Sequence, residues 1–173
     1  MKDGNQDLIG RLRTATRPLH ERLEQITLGD KIMDGTLTAA EYRRLIDWQE
    51  RAHRALEPGL DRVPIGGYRY EPRFPVGKAA PPPLPEAIGI LYVLEGASLG
   101  GSLIYRKLAA NPRLADQAPF PFYRNQSESG VAQWRNLLAA LRTVELADSE
   151  RERAAESAKA AFLRFEAEWE AVA

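Results

Sequence analysis

The chain has 173 residues, 44% of them apolar, and 24 basic against 24 acidic side chains, so its formal net charge at neutral pH is zero. That length supports one core and predicts a single domain over residues 1–173, while the charge balance excludes a global field for nucleic acid or anionic lipid. With no cysteine, disulfides, thiolate chemistry and thiolate-bound iron or zinc are excluded as well.

The opening MKDGNQDLIGRLR lacks the apolar h-region of a signal peptide. No run approaches the roughly 18 apolar residues of a membrane span, which gives the expectation of a cytoplasmic protein with no membrane or nucleic-acid partner. Helical periodicity begins with Leu8, Leu12, Ala15, Leu19, Leu23 and Ile26. Pro18 interrupts this stripe and predicts either a kink or a new helix capped by Thr16. Thr38 and Glu41 form a capping box for a second helix, with Tyr42, Leu45, Ile46, Gln49, His53 and Leu56 on one face and a stop at Pro58-Gly59.

Residues 58–85 carry Pro58, Pro64, Pro72, Pro75, Pro81, Pro82, Pro83 and Pro85, a density no regular helix accepts. The segment is long for a connection and predicts an ordered flap or a partly mobile one. A third helix is predicted from Glu86 to about Ala110, closed by Asn111-Pro112. A loop over 112–130 holds Phe120, Phe122 and Tyr123, followed by a helix carrying Val131, Trp134, Leu138, Leu141 and Val144. The last helix runs from a Ser149 cap through Ala158, Phe162, Phe165 and Trp169. The fold class is therefore all-α. Trp48, Trp134, Trp169 and His53 read as packing residues, with no repeat and no low-complexity tail.

Two features carry chemistry. Glycine inside a helix costs about 1 kcal/mol relative to alanine, yet Gly89, Gly96, Gly100 and Gly101 all fall in the third helix. Bare backbone admits either a closely packed neighbouring helix or a flat ligand, the latter helped by a bend at Gly100-Gly101. The second feature is one helical face with Arg13, Arg17, His20 and Glu24. That face suits an anionic plate bearing iron: an imidazole for the metal, guanidinium groups for carboxylates at its edge, and a carboxylate one turn on for the other ring nitrogen.

LRTATRPLHERLE, residues 12–24, resembles the proximal-helix segment of the haem oxygenase family, and EAIGILYVLEGASLGGSLIYRKLA, residues 86–109, resembles the distal-helix segment of its bacterial, biliverdin-producing branch. The likeness continues through AQWRNLLAALRTVEL and AKAAFLRFEAEWE. It implies a multi-helical fold with haem between proximal and distal helices, and oxidative cleavage of haem b, at once substrate and cofactor, to biliverdin, iron and carbon monoxide. Dioxygen and electrons from an external reductase or ferredoxin would drive it. Carried over by position, His20 would ligate the iron and Glu24 would hold its second nitrogen. Arg13, Arg17 and Arg135 would sit near the propionates, Phe162 would line the pocket, and Gly96, Gly100 and Gly101 would be the distal glycines.

Two departures stand out. Ala97 occupies the place of an aspartate found in some relatives, leaving Ser98 or backbone groups to anchor distal water. The proline-rich 58–85 segment replaces a more regular helical stretch and puts one pocket wall in question. A haem carrier or sensor of the same fold without turnover is the alternative. The bilin product would serve either iron acquisition or supply of a bilin-binding photoreceptor. A ferritin-like di-iron centre would require paired Glu-x-x-His motifs, and the chain has no pair of them.

Overall fold

The first helix runs straight through the position where the sequence raised a break. In the computed structural model, which describes residues 3–173 and the side chains from Asp7 onward, α1 spans Asp3–Ile26 with Pro18 inside it. Pro18 removes one donor, but Pro18 and Thr14, whose carbonyl loses its partner, are both exposed, which leaves that carbonyl open to solvent. Thr16 therefore caps nothing. Its hydroxyl is buried and donates to the Leu12 carbonyl at 2.7 Å, within the same helix.

A short α2 (Gly29–Asp34) ends at Gly35, whose φ of 75° is the left-handed geometry of a helix C-cap. The capping box opens α3 (Ala39–Leu56) as expected: the Glu41 N–H donates to the Thr38 hydroxyl at 3.2 Å and the Thr38 N–H to the Glu41 carboxylate at 2.9 Å.

Residues 58–85 are ordered and contribute core. Leu60, Val63, Ile65, Tyr68 and Tyr70 are all buried, and the buried Glu57 carboxylate gathers the segment by accepting from the Tyr70 hydroxyl at 2.7 Å, the Arg73 N–H at 2.7 Å and the Phe74 N–H at 3.3 Å. Gly59 is required here on two counts: its φ is 85°, and a Cβ would lie 2.3 Å from the Ala80 carbonyl oxygen. From Pro75 to Pro83 the chain has no regular secondary structure, and that gives prolines a place without a helix.

The glycine-rich third helix is two helices, α4 (Leu84–Ala97) and α5 (Gly101–Ala110), joined by a single 3-10 turn over Ser98–Gly100. By length and composition the whole stretch Leu84–Ala110 passes for a membrane span, contrary to the expectation that no run comes near one, but half of its most apolar window is buried inside the fold. It is a core element: α4 packs on α7 (Asp148–Ala171) and α6 (Pro121–Leu141). At Gly89 a Cβ would stand 2.3 Å from the Ala154 carbonyl oxygen, a backbone-to-backbone approach that the small Ala154 and Ala158 complete. The helix α7 also packs on α1 and α3.

Three boundaries differ from the sequence expectation, the first being that α6 ends at Leu141, so Val144 lies beyond it. Residues 121–130, predicted as loop, are the first turns of α6, with Pro121 at the first position, where a missing donor is harmless. The buried stripe of α6 consequently runs through Phe122, Tyr123, Gln126, Gly130, Leu137 and Leu141, and Val131 stands outside it at 46% exposure. Ser149 does not cap α7; the helix starts at Asp148, and the Glu150 carboxylate reaches back to accept from the Ala147 N–H at 2.7 Å.

Candidate functional site

A cavity of about 670 Å³ opens between α1 and α4, within the range of roughly 300–1,000 Å³ typical of small-ligand sites. Arg13, Thr16, Arg17, His20, Leu23 and Glu24 of α1 form one wall, and Tyr92, Val93, Gly96 and Ala97 of α4 form the other. The floor is buried and built by Leu45 and Trp48 of α3, Tyr123 of α6 and Phe162 of α7, while exposed Asp30, Met33 and Leu99 stand at the mouth. A slot between two helices, apolar below and charged along one rim, accepts an amphiphilic molecule that presents an apolar face and an anionic edge.

His20 sits on the α1 wall with its ring edge-on to Phe162, centroids 6.0 Å apart at 89°. Its Nε2 is 3.6 Å from the Glu24 carboxylate, too long for a hydrogen bond, and the side chains are 55% and 69% exposed. The imidazole is therefore accessible from the slot, with a carboxylate one turn away to orient it. Arg17 and Arg13 lie one and two turns before it on the same wall. Tyr92 faces them from α4; burial raises its hydroxyl pKa above the ordinary value, and the nearby Arg13 cation opposes that rise.

The glycines divide into two kinds. A Cβ at Gly96 would make only ordinary contacts with the Trp134 ring, at 3.5 and 3.8 Å, so its bare backbone faces the slot. At Gly101 a Cβ would strike the Gln126 Cβ at 2.4 Å, which makes that glycine a helix-packing residue against α6. Gly100 is exposed and outside the cavity wall, with only the Ile104 methyl within reach at 3.8 Å. Ser98 is buried; its hydroxyl donates to the Glu95 carbonyl at 2.7 Å and does not reach the slot. Arg135 is exposed on α6 and likewise not part of the wall. Of the sequence candidates, then, Arg13, Arg17, His20, Glu24, Gly96 and Phe162 converge on one cavity, and Ser98, Gly100, Gly101 and Arg135 do not.

The proline-rich segment contributes no wall residue, and instead braces α4 from behind. Arg73 pairs with the buried Glu95 at 2.9 Å, their side chains 8% and 0% exposed. Burial raises the Glu95 pKa and Arg73 counters it. Sequence reasoning missed Trp48, Trp134, Tyr92 and Tyr123 as cavity residues. Helix-spaced aromatics look alike whether they face a core or a slot, and only the phase of α6 against α4 separates the two.

His53 is structural, as expected. It is buried among Phe74, Phe122 and Phe165, its Nδ1 lies 2.7 Å from the Gln49 carbonyl, and burial lowers its pKa to about 4. The lone Glu50-x-x-His53 spacing makes no metal site, since Glu50 is engaged by Arg54 at 2.7 Å. Among the described residues no three His, Cys, Asp or Glu side chains converge on a metal ion. A metal held by His20 must bring its other ligands with it, as a porphyrin does. The donor set fits such a group: one imidazole, two guanidinium ions for edge carboxylates, an apolar floor, and an opposite wall stripped of its side chain at Gly96.

Comparison with known proteins points to one family. The family model described as Heme oxygenase matches residues 76–170, more than half of the 173-residue chain. A curated relative, heme oxygenase PigA of Pseudomonas aeruginosa, is 37% identical over 83 residues, which are 47% of this chain and 41% of that protein's length. No solved structure matches.

Proposed function

The chain belongs to the haem oxygenase family, and from that premise we propose that it binds haem as substrate in the α1–α4 slot and cleaves it oxidatively to biliverdin, iron and carbon monoxide. The observation that carries this reading is the meeting of His20 and the bare Gly96 on opposite walls of one cavity, with Arg13 and Arg17 on its rim. Haem, when bound, supplies the iron at which dioxygen is reduced by electrons from an external reductase or ferredoxin.

The chain's own residues bind, orient and exclude. His20 gives a neutral nitrogen to the iron, and Glu24 accepts from the other ring nitrogen once the imidazole turns to the slot, fixing its tautomer. Arg13 and Arg17 receive the propionate carboxylates, charge-assisted contacts that suit a guanidinium fork. Leu45, Trp48 and Phe162 cover the buried face of the macrocycle and keep water from it. Gly96 leaves space for a diatomic gas where any side chain would intrude. Among the described residues lining the slot none forms a nucleophile–base dyad, in keeping with chemistry lodged in the substrate. Ala97 offers no carboxylate for distal water, so proton delivery falls to backbone groups, to water or to another protic group of the slot such as the Tyr92 hydroxyl.

Ala97 is also the observation that favours a second reading, a haem carrier or sensor of the same fold without turnover. Haemin supplied with ascorbate or a ferredoxin system decides between them. Cleavage is expected to remove the Soret band and build bilin absorption; a stable Soret with no bilin leaves binding alone. The site of action is proposed to be the cytoplasm, and the bilin product to serve iron release or a bilin-binding photoreceptor.

A further inference from the structure

We infer that Trp134 is the distal wall of the slot: it bounds the open space beside Gly96 and so decides which side of the bound plate a small gas molecule reaches, and with it which bridge carbon is cleaved. The second half of this statement rests on the haem-cleaving reading; the first does not.

The indole is held there by register. Gln126, Gly130 and Trp134 follow one another at single-turn spacing along one face of α6, and each meets a residue of the distal segment. Gln126 meets Gly101, where a Cβ would be 2.4 Å from its own; Gly130 meets Ser98, where a Cβ would be 2.6 Å from the carbonyl oxygen; Trp134 meets Gly96, where a Cβ would be 3.5 Å from the indole ring. The first two approaches are open only to glycine, so α6 cannot rotate or slide without separating from Ser98–Gly101. The third is an ordinary van der Waals distance, which places the six-membered edge of the indole over the glycine without filling its space. Tyr92 supports the ring from α4, centroids 5.3 Å apart at 56°.

A plate tethered by its iron to His20 keeps one rotation, about the iron–nitrogen axis, and one free face, toward Gly96. Arg13 and Arg17 limit the rotation through the carboxylates. On the free face Trp134 sets a bulky, two-torsion side chain beside Gly96 and takes up space on its own side. The bridge carbon away from Trp134 is therefore the one exposed to oxidation.

The test uses the full chain with haemin and compares wild type with Trp134→Ala and Trp134→Phe. Flash photolysis of the ferrous carbon monoxide complex reads the distal space without turnover, and chromatography of the bilin formed under ascorbate reads the bridge carbon. The expected result is a several-fold faster carbon monoxide association in Trp134→Ala with Trp134→Phe between it and wild type, one dominant biliverdin isomer in wild type, and a mixture in Trp134→Ala. Unchanged association rates in both variants overturn the assignment of Trp134 as distal wall. Faster association with an unchanged isomer ratio overturns its control of the bridge carbon. A wild type that takes up haemin and carbon monoxide but forms no bilin overturns the cleavage reading instead, and the association rates then decide the role of Trp134 alone. Should Trp134→Ala fail to fold, Trp134→Phe carries the same comparison with the aromatic packing on Tyr92 kept.

Discussion

Alanine at Gly96 and alanine at Gly101 are the same chemical change with opposite expected consequences. In a helix interior the substitution gains up to about 1 kcal/mol, and less here, since Gly96 is the last residue but one of α4 and Gly101 the first of α5. At Gly96 the added methyl finds the Trp134 ring at 3.5 and 3.8 Å and nothing closer, so ligand-free stability should rise by up to about 0.5 kcal/mol. At Gly101 it would collide with Gln126, at 2.4 Å from the Cβ and 3.1 Å from the backbone carbonyl carbon. Overpacking of that kind costs about 1–3 kcal/mol and outweighs the helical gain, for a net loss of about 1–2 kcal/mol. Urea denaturation of the ligand-free chain at constant m-value separates the two. Haemin titration completes the comparison: Gly96→Ala should weaken binding although it stabilises the protein, and Gly96→Leu should abolish it. Equal destabilisation by the two alanines, or wild-type haemin affinity in Gly96→Leu, would refute the division of these glycines into an open one and a packed one.

Acid should loosen the core through His53. Its pKa is lowered from 6.5 to about 4 by burial, so the fold favours the neutral ring; that contribution is complete above pH 6.5 and lost as pH falls through about 4. The depression corresponds to about 3 kcal/mol, so between pH 7 and 4 wild type should lose about that much more stability than His53→Leu in matched urea titrations; equal losses would contradict it. Truncating Arg73 strands the buried Glu95 carboxylate, and Arg73→Ala should cost about 3–5 kcal/mol. Arg73→Met combined with Glu95→Leu should cost less than that single change, both read by chemical denaturation; a loss under about 1 kcal/mol for Arg73→Ala would mean that the pair does not brace α4. Gly59→Ala, at a φ of 85° and 2.3 Å from a backbone oxygen, should lower the melting temperature, whereas Gly67→Ala, with open space around it, should not.

Much of the helical architecture was visible in periodicity and caps. The Thr38–Glu41 box marks α3 because its two hydrogen bonds are local, and the Arg13, Arg17, His20 and Glu24 face is legible because helical spacing alone decides it. What was hidden depended on partners distant in sequence. Pro18 stays inside α1 because its face is exposed, which no local rule reports. Gly96 and Gly101 look alike as letters, and only the seating of Gln126, Gly130 and Trp134 along Ser98–Gly101 makes one a window and the other a joint. The proline-rich segment read as a doubtful cavity wall; its burial comes from Glu57 and Glu95, on either side of it in sequence, receiving Tyr70 and Arg73.

The central claim is that one imidazole, on α1, holds the iron. Resonance Raman spectroscopy of the ferrous haem complex addresses it directly through the iron–imidazole stretch. The band should be present in wild type and in His53→Ala, absent in His20→Ala, and restored there by added imidazole. Its persistence in His20→Ala, or its loss in His53→Ala in a chain that still folds, would contradict the account.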